Sequence, residues 1–351
     1  MRHLSILFLS VLAACTAAEI QSAEPRAANE SPAQLWAFAD HAARLRSESC
    51  PEGVAFERAK SLDLRVSEVG LGTALARDRY LSGLSLAGAW HLQSSNADFG
   101  GLSGLDVMRS GSLLAVADDG KFVWIGIDPE TGAPDGFGSI AEMRDHDGQV
   151  YRIKTLADSE GLAYRDGLAF VSFERNHRIA AYDLEGCGAA ARAASVVALN
   201  QIVDGSVLEN NRGAEAMALH GDGLSVGFEV RKSGGSPFGD VMTDGGLSQV
   251  VRTRQPAFHL LTGMDLDDGL TVQIFRAYDP ARGPRGLVKV MKDEVEIATA
   301  KLKDPLPVDN FEGIALGSSP AGTPRIWLIS DDNFSNRQRT LLLALDLAPA
   351  T

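Results

Sequence analysis

Glu160, Glu215 and Glu312 each precede a small residue and an alternating apolar run, and Glu174 and Glu229 lie 14 positions after the first two. Asp118-Asp119 and Asp331-Asp332 close two further stretches of the same form. Carboxylates with no His or Cys among them make a hard, all-oxygen donor set, which suits calcium first, magnesium second, and zinc or copper poorly. On that reading Glu160, Glu215, Glu312, Asp119 and Asp332 are the candidate metal ligands. Arg175 and Arg212 stand beside them, and a guanidinium fork matches phosphoryl oxygens. A carboxylate left free of the ion, Glu174 or Glu229, would then serve as general base towards a small phosphorylated substrate. Arg178, Arg231, Arg276 and Lys121 admit a different outcome, in which salt bridges satisfy the same acids with no metal.

These residues are far apart in sequence, so the chemistry stands only if a repeated element gathers them. Five stretches align, beginning near Gly101, Asp158, Arg212, Leu261 and Asn310. Their aligned polar residues are Ser103, Glu160, Glu215, Thr262 and Glu312, spaced 57, 55, 47 and 50 apart. That spacing is near the roughly 40 to 50 residues of a four-stranded propeller blade. Asp166-Gly167, Asp222-Gly223 and Asp268-Gly269 predict tight hairpin turns between the two apolar runs. A residue about seven before such a turn faces one about seven after it. Glu160 therefore faces Glu174, Glu215 faces Glu229, and Thr262 faces Arg276, with one end of every hairpin directed at a common channel. The fold class predicted is an all-β propeller. Residues Leu62 to Leu347, at about 45 per blade, predict six blades. The sixth would be built from Leu62–Val69 and Leu84–Leu92 and closed by Thr340–Leu347.

The blocks DSEGLA from Asp158, FER from Phe173, NRGAEAMAL from Asn211, NFEGIAL from Asn310 and LISDDNFSNRQRTLLLALDL from Leu328 resemble the phytase-like proteins of the "esterase-like activity of phytase" family. The resemblance runs from about Leu84 to Leu347. It implies a β-propeller of exported bacterial proteins with a phosphoesterase activity carried by acids. Matched position by position, those acids are Asp158, Glu160, Glu174, Glu215, Glu229, Glu312, Asp331 and Asp332, with Arg175 and Arg212. Two positions depart from the pattern: Phe275-Arg276 stands where the family tends to show Glu-Arg, and Thr262 replaces a Glu. The acid-first hairpins are also similar to those of gluconolactonase-like propellers, which hold one divalent ion on their axis. A non-catalytic propeller with a structural calcium site is the alternative function.

Gly223-Leu224-Ser225-Val226-Gly227 fits G-x-S-x-G, yet a nucleophile elbow needs a strand, a sharp turn and a helix. Ser225 falls inside a predicted strand, so nucleophilic catalysis by it is not expected. His146, His177, His220 and His259 follow no triad order, and His177 is read as a surface histidine.

The N-terminal region speaks to location. Met1 to His3, an apolar run from Leu4 to Leu12 and Leu12-Ala13-Ala14-Cys15 resemble a lipoprotein signal (residues 1–14) ahead of a lipidated Cys15. The run is shorter than the roughly 20 residues that span a bilayer, so a lipid-anchored protein of the bacterial cell envelope is expected, facing the periplasm or the cell surface. Residues 15–60 read as a tether with an amphipathic helix from Pro32 to about Ser47, capped by the Ser31 hydroxyl with Pro32 at its first position, appended to a propeller domain at 61–351. Cys50 and Cys187 are then an even pair in an oxidising compartment, a disulfide or two buried thiols. The composition is that of a packed globule, 45% hydrophobic and 23% charged, and the formal charge of −13 argues against nucleic acid as a partner. A monomer is expected.

Overall fold

Alternating apolar positions and tight turns fold this chain into five antiparallel sheets of four or five strands and a small hairpin of Ile202–Val203 with Ser206–Val207, seen in a computed structural model that describes residues 33–203, 205–210, 212–230 and 235–348. The candidate leader, Cys15 and the Ser31-Pro32 cap lie outside the described residues, as does Arg231. Asp166-Gly167 and Asp268-Gly269 both take positive φ at the two turn positions, as a type I′ hairpin requires. The third hairpin turns on Gly221-Asp222, one residue earlier than predicted, because Gly221 takes the positive φ and His220 pairs with Gly223.

The inner strands are Leu102–Val107, Ser159–Arg165, Ala214–His220, Leu260–Asp267 and Phe311–Ser318, one per sheet. Each packs against the next, and the last packs against the first, so the sheets close into a five-bladed propeller. The expected sixth blade is absent among the described residues. Leu84–Gln93 pairs with Thr340–Leu347, and together with Arg65–Glu68 they complete the blade of Phe311–Ser318 and Pro324–Ser330. N-terminal strands thus supply the outer half of that blade and clasp the ring. Lys60–Asp63 and Leu81–Ser82 likewise edge the first and fourth blades. The five seams between blades hold five separate apolar cores.

The helix runs from Phe38 to Ser49, not from Pro32. Before it, Gln34 and Trp36 exchange backbone hydrogen bonds with Thr243 and Val241, which draws that segment out as an extended edge. Asp222 then receives Phe38 N on its carbonyl and Ala39 N on its carboxylate, capping a helix whose own N-cap, Ala37, has no side-chain acceptor. Trp36 and Leu45 are buried in the seam between the second and third blades. Cys50 and Cys187 form a disulfide, with Cα atoms 5.6 Å apart. The helix thus belongs to the compact unit that begins at Ala33 and is not an appendage before residue 61. Among the described residues no helix is long and apolar enough to cross a membrane.

Candidate functional site

One device, repeated five times, sets the site. In every blade the pairing register between the first two strands slips at the aligned polar position: Ser103, Glu160, Glu215, Thr262 and Glu312. A β-bulge leaves its extra residue out of the ladder and re-aims its side chain. The residue that follows is small because the neighbouring blade presses on it. A Cβ on Gly104 would lie 2.5 Å from the Glu160 carbonyl oxygen, and one on Gly161 3.0 Å from that of Glu215. The hydroxyls of this ring bond the next blade: Ser103 Oγ donates to Ser159 O at 2.7 Å, and Thr262 Oγ1 to Phe311 O at 3.3 Å.

The second ring comes from the far ends of the same hairpins. Glu174 N bonds Asp158 O, Glu229 N bonds Gly213 O, Asp118 N bonds Gly101 O and Asp331 N bonds Asn310 O. Asp118, Glu174, Glu229 and Asp331 are therefore equivalent, and Arg276, which pairs with Leu260, holds the fifth place. In both Asp-Asp pairs it is the first residue that occupies this ring, not Asp119 or Asp332. Asp119 turns to Lys121. Asp332 accepts from the backbone of Gly101 and Phe334 at 3.0 Å and from Thr340 Oγ1 at 2.9 Å, ordering its loop.

Glu160, Glu215 and Glu312 do converge. Their mutual repulsion, together with that of Glu174, Glu229 and Asp331, operates on carboxyls that range from 5% to 9% exposed. Burial pushes Glu160 well above the usual carboxylate range, and Glu312, Glu174 and Asp158 push further. Burial does the same to Glu215, with Glu160 and Glu229 adding to it. Glu174 rises to about 6 and Asp331 to about 8, burial leading in both. Glu229 and Glu312 are raised by burial against the pull of Arg276, which sits 3.1 Å from each and donates to Asn310 Oδ1 at 2.9 Å. Asp158, 2% exposed, pairs with Arg175 and with Lys154. Arg212 pairs with Glu209 at 3.3 Å. Glu160 and Glu215 have no ion pair among the described residues. Oxygens of Asp158, Glu160 and Glu174 all lie within 4.8 Å of one another.

Asp158 was named as a site acid only through the family resemblance, Asn310 was seen only as the start of a repeat and a family block, and Lys154 carried no signal, since none of them stands at the repeated acid positions. His177 is buried, not on the surface. Its Nδ1 lies against Gly213 with no partner, and burial lowers its pKa. Ser225 lies within the strand Gly223–Phe228, 2% exposed. His220 Nε2 contacts both Ser225 Oγ, at 2.8 Å, and Asp240 Oδ1, at 3.0 Å. A catalytic relay needs the two contacts on opposite ring nitrogens, so this trio, in which only Ser225 is buried, is a structural polar cluster.

The model of the phytase-like family described as "Esterase-like activity of phytase" matches residues 97–231 and 243–334, which span both rings. The chain belongs to the phytase-like family. Comparison with curated proteins finds no match. Among solved structures, this phytase-like chain is similar to the PQQ-bound aldose sugar dehydrogenase of Streptomyces coelicolor, at 12% identity over 75% of this chain and 98% of that one, TM-score 0.42. It is similar to Myxococcus xanthus glutaminyl cyclase at 12% identity, over 76% and 97% of the two chains, TM-score 0.43. A putative gluconolactonase matches at 11% identity over 89% and 97%, TM-score 0.40. The chemistry of the phytase-like site rests on its own residues.

Proposed function

We propose that this propeller is an exported, lipid-anchored phosphoester hydrolase that works with a divalent cation, calcium in preference to magnesium. What carries the reading is the acidic well on the axis, where Asp158, Glu160 and Glu174 bring oxygens within 4.8 Å of one another. The residues fit such an ion: the donors are all oxygen, Asp118 Oδ1 is buried without a partner, and buried carboxylates in this number need a cation or protons. Held by Asp158, Glu160 and Glu174, calcium would neutralise phosphoryl charge and ease the ionisation of a water beside it. Arg276 and Arg212 present planar forks that bind and orient phosphoryl oxygens. Glu229 lines the same cleft as both arginines and would accept the proton of an attacking water.

One observation favours a non-catalytic alternative: Arg276 already bridges Glu229 and Glu312, so part of the well is satisfied internally. Hydrolysis of 4-nitrophenyl phosphate with calcium and with chelator separates the two. Turnover that needs calcium and disappears in Glu160→Gln supports the hydrolase. A chelator effect on melting temperature alone, with no turnover, supports a structural ion. For the anchor, support comes from Leu12-Ala13-Ala14-Cys15 behind a short apolar run. Cys15→Ser moves the protein from the membrane fraction to the soluble fraction if Cys15 carries the lipid.

A further inference from the structure

The seam between the third and fourth blades has the smallest buried core of the five among the described residues: Ala216, Leu261, Met264, Phe275 and Leu287. At its rim opens a cleft of about 340 Å³, where Arg212, Glu229 and Arg276 are joined by Phe258, Leu260 and Tyr278. Phe258 and Tyr278 are 69% and 70% exposed, although both are large and aromatic. Phe258 also sits at φ +70°, a left-handed conformation that a bulky residue rarely adopts. Backbone strain of that kind persists where something outside local preference holds it, and functional sites are where it gathers. Here the strained residue puts an aromatic ring into a cleft that also contains two arginines.

We propose that this cleft is the leaving-group subsite, and that the substrates are phosphoesters whose leaving group has a flat π face, a nucleoside or an aryl alcohol. The proposal rests on the hydrolase reading above and names its substrate class. The phosphoryl group faces Arg212 and Arg276, and the ring stacks on Phe258 and Tyr278. A polyphosphorylated polyol suits the cleft badly. Arg276 is already shared by Glu229 and Glu312, Phe258, Leu260 and Tyr278 offer no cation to further phosphates, and the chain as a whole carries a charge of −13. In the reaction the water oxygen bonds to phosphorus as the bond from phosphorus to the leaving oxygen breaks. Glu229 takes the water proton, and the leaving oxygen gains one from solvent.

The test compares kcat/KM of the full chain in calcium for adenosine 5′-monophosphate, 4-nitrophenyl phosphate, glycerol 2-phosphate and myo-inositol hexakisphosphate. Phe258→Gly and Tyr278→Ala should each lower kcat/KM on the two ring-bearing esters roughly tenfold and leave glycerol 2-phosphate within about twofold of the parent protein. Phe258→Gly should also hold or raise the melting temperature, since glycine accepts the positive φ, which separates loss of the ring from loss of the fold. The better of the two ring-bearing esters identifies the source, nucleoside or aryl. Preference for the hexakisphosphate, or variants that affect all esters alike, would overturn the subsite and leave the hydrolase standing. If no ester turns over, calorimetry with adenosine 5′-monophosphate decides. Binding that weakens about tenfold in Tyr278→Ala keeps the subsite while the hydrolase fails, and absence of binding overturns both.

Discussion

Glu160 and Arg276 show two opposite ways of living with buried charge, and substitution separates them. Glu160 has carboxylate neighbours and no ion pair among the described residues, so the folded protein holds its proton tightly and resists its ionisation. Replacing it by Gln removes the repulsion and keeps the shape. We expect Glu160→Gln to melt higher than the parent protein in chelator, by the degrees that about 1–2 kcal/mol brings, and to lose most of the rise that calcium gives the parent. A variant that melts lower in chelator would mean that Glu160 already has a satisfying partner. Arg276 is the reverse case, the shared cation of Glu229 and Glu312. Arg276→Met strands two buried carboxylates, and breaking such a pair costs about 3 kcal/mol, the lower end of the usual range because the guanidinium is partly exposed. Urea denaturation at neutral pH without calcium measures it, and a loss below about 1 kcal/mol would mark the bridge as a surface pair. Arginine in the fifth place of an acidic ring was legible as a departure from the repeat. Its double partnership was not, because both partners come from other blades.

The hairpin with a bulge at its mouth is the unit that turns a sequence repeat into a site. Its pattern of polar residue, small residue and alternating apolar positions was readable because each part answers to one physical demand. The bulge re-aims the polar side chain, and the small residue admits the next blade's backbone. Gly104 shows how tight the fit is: Gly104→Ala would set a methyl 2.5 Å from the Glu160 carbonyl oxygen. Both are backbone-anchored, so one inner strand must shift, and we expect a loss of about 2–3 kcal/mol with weaker calcium binding, because the displaced strand carries Glu160. An unchanged melting temperature would show that the seam is looser than the packing implies. What was not legible came from pairings that no local pattern encodes. The choice of Asp118 over Asp119 depends on a bond to Gly101, and the late start of the helix on the strand of Val241. Local propensity placed a cap at Ser31 because it could not know that Trp36 would be drawn into a blade edge.

Closure of the ring makes the acidic well a property of the entire molecule. Leu84–Gln93 locks onto Thr340–Leu347, so the first and last thirds of the chain are held together, and the carboxyls of four blades are kept at the axis whatever their charge. Counting length per blade missed this, because a blade shared between the two ends of a chain consumes residues from both. The consequence is a pH dependence of definite sign. Asp331 is raised to about 8 and Glu174 to about 6, both above their unfolded values. The folded state therefore binds their protons more tightly than the unfolded chain does. That contribution is fully present below about pH 4, where both states are protonated, and is lost as pH rises through 6 and then 8. In chelator the melting temperature should fall from pH 5 to pH 9, against the usual course for a protein rich in exposed, salt-bridged carboxylates. Calcium competes with those same protons, so its stabilisation should grow over the same interval, reaching about 2.7 kcal/mol at a hundredfold excess over its Kd. Melting curves at pH 5, 7 and 9, with chelator and with millimolar calcium, test both halves. A chelated protein that grows more stable towards pH 9, or a calcium shift equal at pH 5 and pH 9, would show that the well is neutralised by its own arginines and lysines and has no need of an ion.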